Sequence, residues 1–218
     1  MLEDILLIED KHRRVAAGIV EEILKKKKEK FIVAISGESG SGKSELTHVV
    51  AKELRKYGIF AKPVHLDNFF KTLPLERRAW REKNGVDKVV GTNEIDWEAV
   101  QKTVDDFKNG RTSSMPCVDL VTEQVDTLTT DFKDINMMVL DGLYAINTKE
   151  VDLHVFIELT HHETKKAQAS RGKEKTDGLR IQTLEAEHKA VQSLRPKADL
   201  LVNMNYELVK PKREKSLY

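Results

Sequence analysis

Gly37-Glu38-Ser39-Gly40-Ser41-Gly42-Lys43-Ser44 is the stretch of this chain best suited to chemistry, a complete G-x-x-x-x-G-K-S. Its glycines let backbone N–H groups turn inward and approach phosphate oxygens closely, and a helix opening behind the loop aims its positive end at the same anions. Residues 37–44 are therefore expected to bind a nucleotide triphosphate. Lys43 would contact the β- and γ-phosphates, and Ser44 would place its hydroxyl on Mg²⁺. The pattern arises by chance in roughly one sequence of this length per hundred, so its flanks decide the matter. A second anionic group should face the γ-phosphate. Asp141, directly after Met138-Val139-Leu140, ends an apolar run and is expected to orient Mg²⁺ together with Ser44.

These residues need a scaffold, and the pattern of apolar residues supplies one. Phe31-Ile32-Val33-Ala34-Ile35 is a buried, parallel-type strand stopped by Ser36-Gly37. Leu46, Val49, Val50 and Leu54 then recur at helical spacing, so the loop sits between a strand and a helix. Further strands are expected at Ala61 to Leu66, Met137 to Leu140, Val151 to Leu159 and Ala198 to Val202, with a hairpin from Cys117 to about Thr130. Helices are expected from Val15 to the run Lys25 to Lys28, from an N-cap at Asp96 to Asn109-Gly110, and through Leu184, Val191 and Leu194. Thr160-His161-His162-Glu163 matches a capping box. Alternating strands and helices mean an α/β fold with a largely parallel sheet. Residues 1–30 form an amphipathic helix on the core, 31–205 the main domain, and 206–218 a peripheral tail. The charged stretches at about 71–95 and 171–180 lack apolar periodicity and are expected to be excursions over the site.

Composition narrows the partners. Thirty-seven Lys and Arg against 36 Asp and Glu leave a formal charge of +1, so no global field recruits nucleic acid or an anionic membrane. The lone Cys117 excludes an internal disulfide and cysteine-pair metal sites. An acidic N-terminus without a long apolar region points to the cytoplasm. The partners expected are a small-molecule hydroxyl acceptor and, at most, further copies of the chain as a homo-oligomer, with no nucleic acid and no membrane. A GTPase switch is disfavoured because Thr148-Lys149-Glu150-Val151 lacks the final Asp of a guanine-reading motif and no D-x-x-G occurs.

Several short motifs follow in order: the phosphate loop, Leu66-Asp67-Asn68-Phe69-Phe70-Lys71, the Asp96-to-Gly110 helix, Met115-Pro116 with its hairpin, Leu140-Asp141-Gly142-Leu143 and Arg171-Gly172. Over roughly residues 31 to 203 the chain resembles the phosphoribulokinase/uridine kinase family of small-metabolite kinases. The resemblance implies a doubly wound P-loop kinase fold, with a helical lid and a small hairpin excursion, that moves the γ-phosphate of ATP to a hydroxyl with Mg²⁺. It gives Asp67 the role of catalytic base near the metal, and it makes Arg171 the lid cation that closes on the phosphates. A carboxylate at the C-terminal end of a strand faces the crevice where such sheets bind ligands, which agrees with the first role.

The departures bear on the acceptor. Phe70 stands where uridine kinases carry Tyr, Val118 replaces the pyrimidine-stacking Tyr, Glu123 falls near a family His, and Val90 to Trp97 lacks the ribose-reading Asp. Losing polar readers removes large factors in discrimination, so uridine and cytidine are disfavoured. Arg77, Arg78 and Arg81 are candidates to meet an anionic acceptor, with plain solvation as the competing reading, and Lys173, Lys175 and Arg180 are further candidate cations. His65 reads as a strand residue, and His161 and His162 as neighbours of a helix cap. The alternative to a kinase is a regulatory ATP-binding protein without turnover.

Overall fold

An unbroken apolar run has no solvent-facing side, so Phe31–Gly37 (β1) must lie inside a sheet covered on both faces. A computed structural model, which describes residues 5–26, 28–119, 121–164 and 177–211, places it there. Met137–Gly142 (β5) flanks β1 in parallel on one side and Leu153–Ile157 (β6) on the other, with Ala61–His65 (β2) beyond β5. Leu200–Val202 (β7) and Leu208–Val209 (β8) complete a sheet of order β2-β5-β1-β6-β7-β8, in which only β8 runs antiparallel. Thr112–Val118 (β3) and Val125–Asp131 (β4) form a separate antiparallel hairpin, which begins five residues before its expected start at Cys117.

Alternation along the strands divides the core by face. Val33 and Ile35 of β1 and Val139 of β5 pack against Asp10–Lys26 (α1) and Lys43–Leu54 (α2). Ile32, Ala34, Met138 and Leu140 pack the other way, against Trp97–Lys108 (α5), the hairpin root and Gly178–Gln192 (α6). Helices on both faces of a mainly parallel sheet are the doubly wound arrangement. Among the described residues no helix is long and apolar enough to cross a membrane.

One expectation needs correction, and the charged stretch after β2, expected as a helical excursion over the site, gains definite elements. Pro74–Asn84 (α3) and Val86–Val89 (α4) fill it, and its neck is closed where Lys71 N–H donates to Glu94 O at 2.9 Å and Asp96 N–H to Phe69 O at 2.8 Å. Arg81 of α3 is buried between Glu94 and Glu187, 2.7 and 3.3 Å away, and ties this segment to α6. The peripheral tail begins too early at residue 206: Tyr206 is buried, and β8 follows it as a sheet strand.

Asp96 caps α5 as its position suggested, its carboxylate accepting the Ala99 N–H at 3.0 Å. Asp96→Ala should cost about 1 kcal/mol, lowering Tm by about 2–4 °C in a chain of this size, while Asp96→Asn should stay within half of that shift; differential scanning calorimetry reads both.

Candidate active site

The ends of β1, β5 and β2 converge because the three strands are parallel neighbours, and parallel strands present their C-terminal ends at one edge. From β1 comes the phosphate loop, from β5 Asp141, and from the turn after β2 Asp67. The loop closes tightly. Lys43 Nζ donates to the Glu38 carbonyl at 2.8 Å, and Ser41 N–H donates to the same oxygen at 3.2 Å. Gly42 sits at φ +94, in the left-handed region, and a Cβ there would lie 2.5 Å from the Tyr206 hydroxyl and 2.8 Å from His12 Nε2. Both conformation and space demand glycine at this point.

Asp141 lies within β5 rather than in a turn after it, and it is 3% exposed. Its Oδ1 is 2.7 Å from His65 Nδ1, across a register pair of β2 and β5. Burial by itself would push the carboxyl pKa up; the His65 ring, then Lys43 and the Ser44 hydroxyl, outweigh that and hold it below the ordinary range. Oδ2 is buried and has no hydrogen-bond partner among the described residues. An unpartnered anionic oxygen beside a serine hydroxyl is an oxygen donor set of the kind Mg²⁺ takes, so the residues fit that ion.

Asp67 is half-buried on the short helical turn Leu66–Phe69, two residues beyond His65. It lies near enough to Tyr144 to add to the burial and to the charges of Glu187 and Glu94 that push that phenol's pKa up. Asn68 fastens this turn to the hairpin by accepting the Val118 N–H at 3.1 Å. Asn68 also lines two adjoining clefts, of about 230 and 180 Å³. His48, His65 and Met115 border the first; Phe70, Arg77 and Val118 border the second.

Of the three arginines offered for an anionic acceptor, two are held in ion pairs and Arg77 borders the second cleft. Arg81 is in its buried ion triad, Arg78 pairs with Asp177 at 2.6 Å, and Arg77 stacks 3.7 Å above Phe70. Glu123 lies at the hairpin tip, away from the clefts. Arg171, Lys173 and Lys175 lie outside the described residues. Arg180 is brought to the loop, its guanidinium 3.5 Å from Ser39 Oγ and 3.9 Å from Glu187.

Two histidine arrangements escaped the sequence reading. His65 is the partner of Asp141 and stacks on His48 at 5.3 Å. The Glu38 carboxylate meets His161, His188 and Gln192. Burial would raise its pKa, and the Gln192 and His161 hydrogen bonds, with that of His188, hold it low. A strand residue two places before a candidate base was the one local hint for His65; nothing local marks Glu38.

The model of the Phosphoribulokinase / Uridine kinase family matches residues 32–199. A uridine kinase of Ureaplasma parvum is 25% identical over 140 residues, covering 62% of this chain and 66% of that protein, just under two thirds of its length. In fold, the chain is similar to phosphoribulokinase from Rhodobacter spheroides (TM-score 0.62, 12% identity, 79% and 69% of the two chains). It is likewise similar to D-glycerate 3-kinase from Cryptococcus neoformans (TM-score 0.59, 12% identity, 92% and 97%).

His65→Ala should destabilise the fold by about 1–3 kcal/mol at pH 7, because the buried Asp141 charge loses its main partner. Asp141 contributes stability above its unfolded pKa and loses it as pH falls through its lowered folded value. Urea melts of His65→Ala beside wild type at pH 7 read the loss.

Proposed function

Because the chain belongs to the phosphoribulokinase/uridine kinase family, we propose that it is a cytoplasmic, ATP- and Mg²⁺-dependent kinase that phosphorylates a hydroxyl of a small metabolite other than uridine or cytidine. The observation that carries this reading is Asp141: a buried carboxylate with one orphaned oxygen, facing Lys43 and Ser44 of a phosphate loop. Nothing structural is gained from such an oxygen, since an unmet buried polar atom costs free energy. A metal site explains it.

In this mechanism the loop amides and Lys43 hold the β- and γ-phosphates and draw charge from them. Ser44 and Asp141 would hold Mg²⁺, which would supply positive charge against the phosphates. His65 keeps Asp141 ionised and oriented. Asp67 accepts the proton of the attacking hydroxyl on its carboxylate, which suits its position on the turn at a strand end. Arg180, close to Ser39, and Arg171 from the lid segment supply positive charge where it is needed as the phosphoryl group moves. The clefts beside Asn68 are the acceptor region. Arg81 takes no part in acceptor binding there, since it is buried between two carboxylates, whereas Arg77 borders the second cleft.

ADP release from Mg·ATP should rise with one class in a panel of nucleosides, pantothenate, glycerate, sugars and sugar phosphates, uridine and cytidine giving no increase. Lys43→Ala should abolish turnover while circular dichroism stays unchanged. Asp67→Asn should lower kcat by at least the 10²-fold typical of a lost general base, with the Kd for ATP within about twofold; full activity in that variant would remove Asp67 as the base. Nucleotide binding without acceptor-stimulated ADP release would mark a regulatory protein instead.

A further inference from the structure

Phosphoryl transfer makes no use of the carboxylate of Glu38, although it is 2% exposed and sits inside the phosphate loop. Its Oε2 is 3.1 Å from His161 Nδ1, and its Oε1 is 2.8 Å from His188 Nδ1. The three donor atoms come from three separate elements: the loop, the turn after β6, and α6. They lie within 4.8 Å of one another, so a single ion can reach them all.

What stands behind these groups matters as much as the groups themselves. Gln192 Nε2 donates to Oε1 at 2.6 Å and the His161 N–H donates to Oε2 at 2.8 Å, which fixes the carboxylate. The far nitrogen of His161, Nε2, is 3.1 Å from Glu185 Oε1. A carboxylate behind an imidazole is the arrangement that orients metal-binding histidines: with the proton on Nε2 and donated to Glu185, Nδ1 would present its lone pair to a cation in place of its contact with Glu38.

We propose that Glu38, His161 and His188 form a second cation site, for a borderline divalent ion of the Zn²⁺ type, distinct from the Mg²⁺ position at Ser44 and Asp141. Two imidazoles and a carboxylate are a poor set for Mg²⁺, which takes oxygen ligands, and a good one for Zn²⁺, which accepts three protein ligands of this kind and keeps a fourth position open. An ion here fastens residue 38 to residues 161 and 188. The Glu38 carbonyl also holds Lys43 at 2.8 Å, so the ion stiffens the segment that carries the phosphate-binding lysine.

His161, His162 and Glu185 make a rival group of similar spread, but His162 is exposed and only His161 is buried, where the first group has both Glu38 and His161 buried. Variants separate the two. The untagged full chain, dialysed free of metal, should take up one Zn²⁺ in isothermal titration calorimetry, and Co²⁺ in its place should give a visible d–d absorption. His188→Ala should reduce Zn²⁺ affinity by more than tenfold, Glu185→Gln by about 10- to 100-fold, and His162→Ala by less than threefold. Magnesium at equal concentration should not compete. Failure of the wild-type chain to bind Zn²⁺ stoichiometrically would overturn the proposal without reliance on any variant. So would loss of binding in His162→Ala with retention in a folded His188→Ala. Neither readout requires kinase turnover, so this site and the proposed function stand or fall separately.

Discussion

Taking a carboxylate out of water costs several kcal/mol unless partners replace its hydration, and Asp141 is buried in the middle of the sheet's working edge. Its compensation comes from one neighbour on each side. His65 on β2 reaches it across the ladder, and Lys43 and Ser44 reach it from the helix that follows β1. Parallel pairing of β5 with both strands is what makes this geometry available, since register places His65 directly opposite Asp141. Shifting either strand by one residue would turn the histidine or the aspartate to the other face. The charge therefore constrains register as strongly as the hydrophobic core does.

The phosphate loop is constrained from behind as well. Gly42 admits no side chain because the His12 ring and the Tyr206 hydroxyl occupy that space. These two residues come from opposite ends of the chain and meet edge to face at 5.0 Å. Gly18 of α1 plays a matching part, since a Cβ there would lie 2.8 Å from Leu208 of β8. Helix α1 and strand β8, the first and last described elements, thus close against each other and against the loop. Glu38 adds a third support, through the turn after β6 and α6. A loop whose glycines give it wide conformational freedom is held by packing on one side and a buried carboxylate on the other.

Local signals were sufficient for much of this. Strand β1, the loop, helix α2 and the Asp96 cap each carry their information within a dozen residues, and the parallel fold follows from their alternation. Long-range pairings were not legible. His65 and Asp141 are 76 positions apart, Glu38 and His188 150 apart, and Gly42 and Tyr206 164 apart. No periodicity or propensity encodes such contacts. The packing of the charged stretch at 71–95 was hidden for a related reason: the single buried residue of its helix α3 is an arginine whose burial is intelligible only once Glu94 and Glu187 are known to face it.

That triad bears on the clefts beside Asn68. Arg81 lies between Glu94 and Glu187, with Arg180 a further 3.9 Å from Glu187, so the charges balance, and the Tyr144 hydroxyl is buried without a partner among the described residues. Lining the second cleft, Val118 presents an apolar surface, and Phe70 has its face covered by Arg77 at 3.7 Å. Apolar walls discriminate by shape, at about 1–3 kcal/mol per methylene, whereas polar readers discriminate by much larger factors. The polar side chains that line the first cleft are then few: Asn68, Lys62 and the two stacked histidines His48 and His65. Each lies on β2, its following turn or α2, the same elements that secure Asp141. Selectivity and the buried charge are accordingly built on one set of backbone contacts, so a change of register that loosened the first would lose the second.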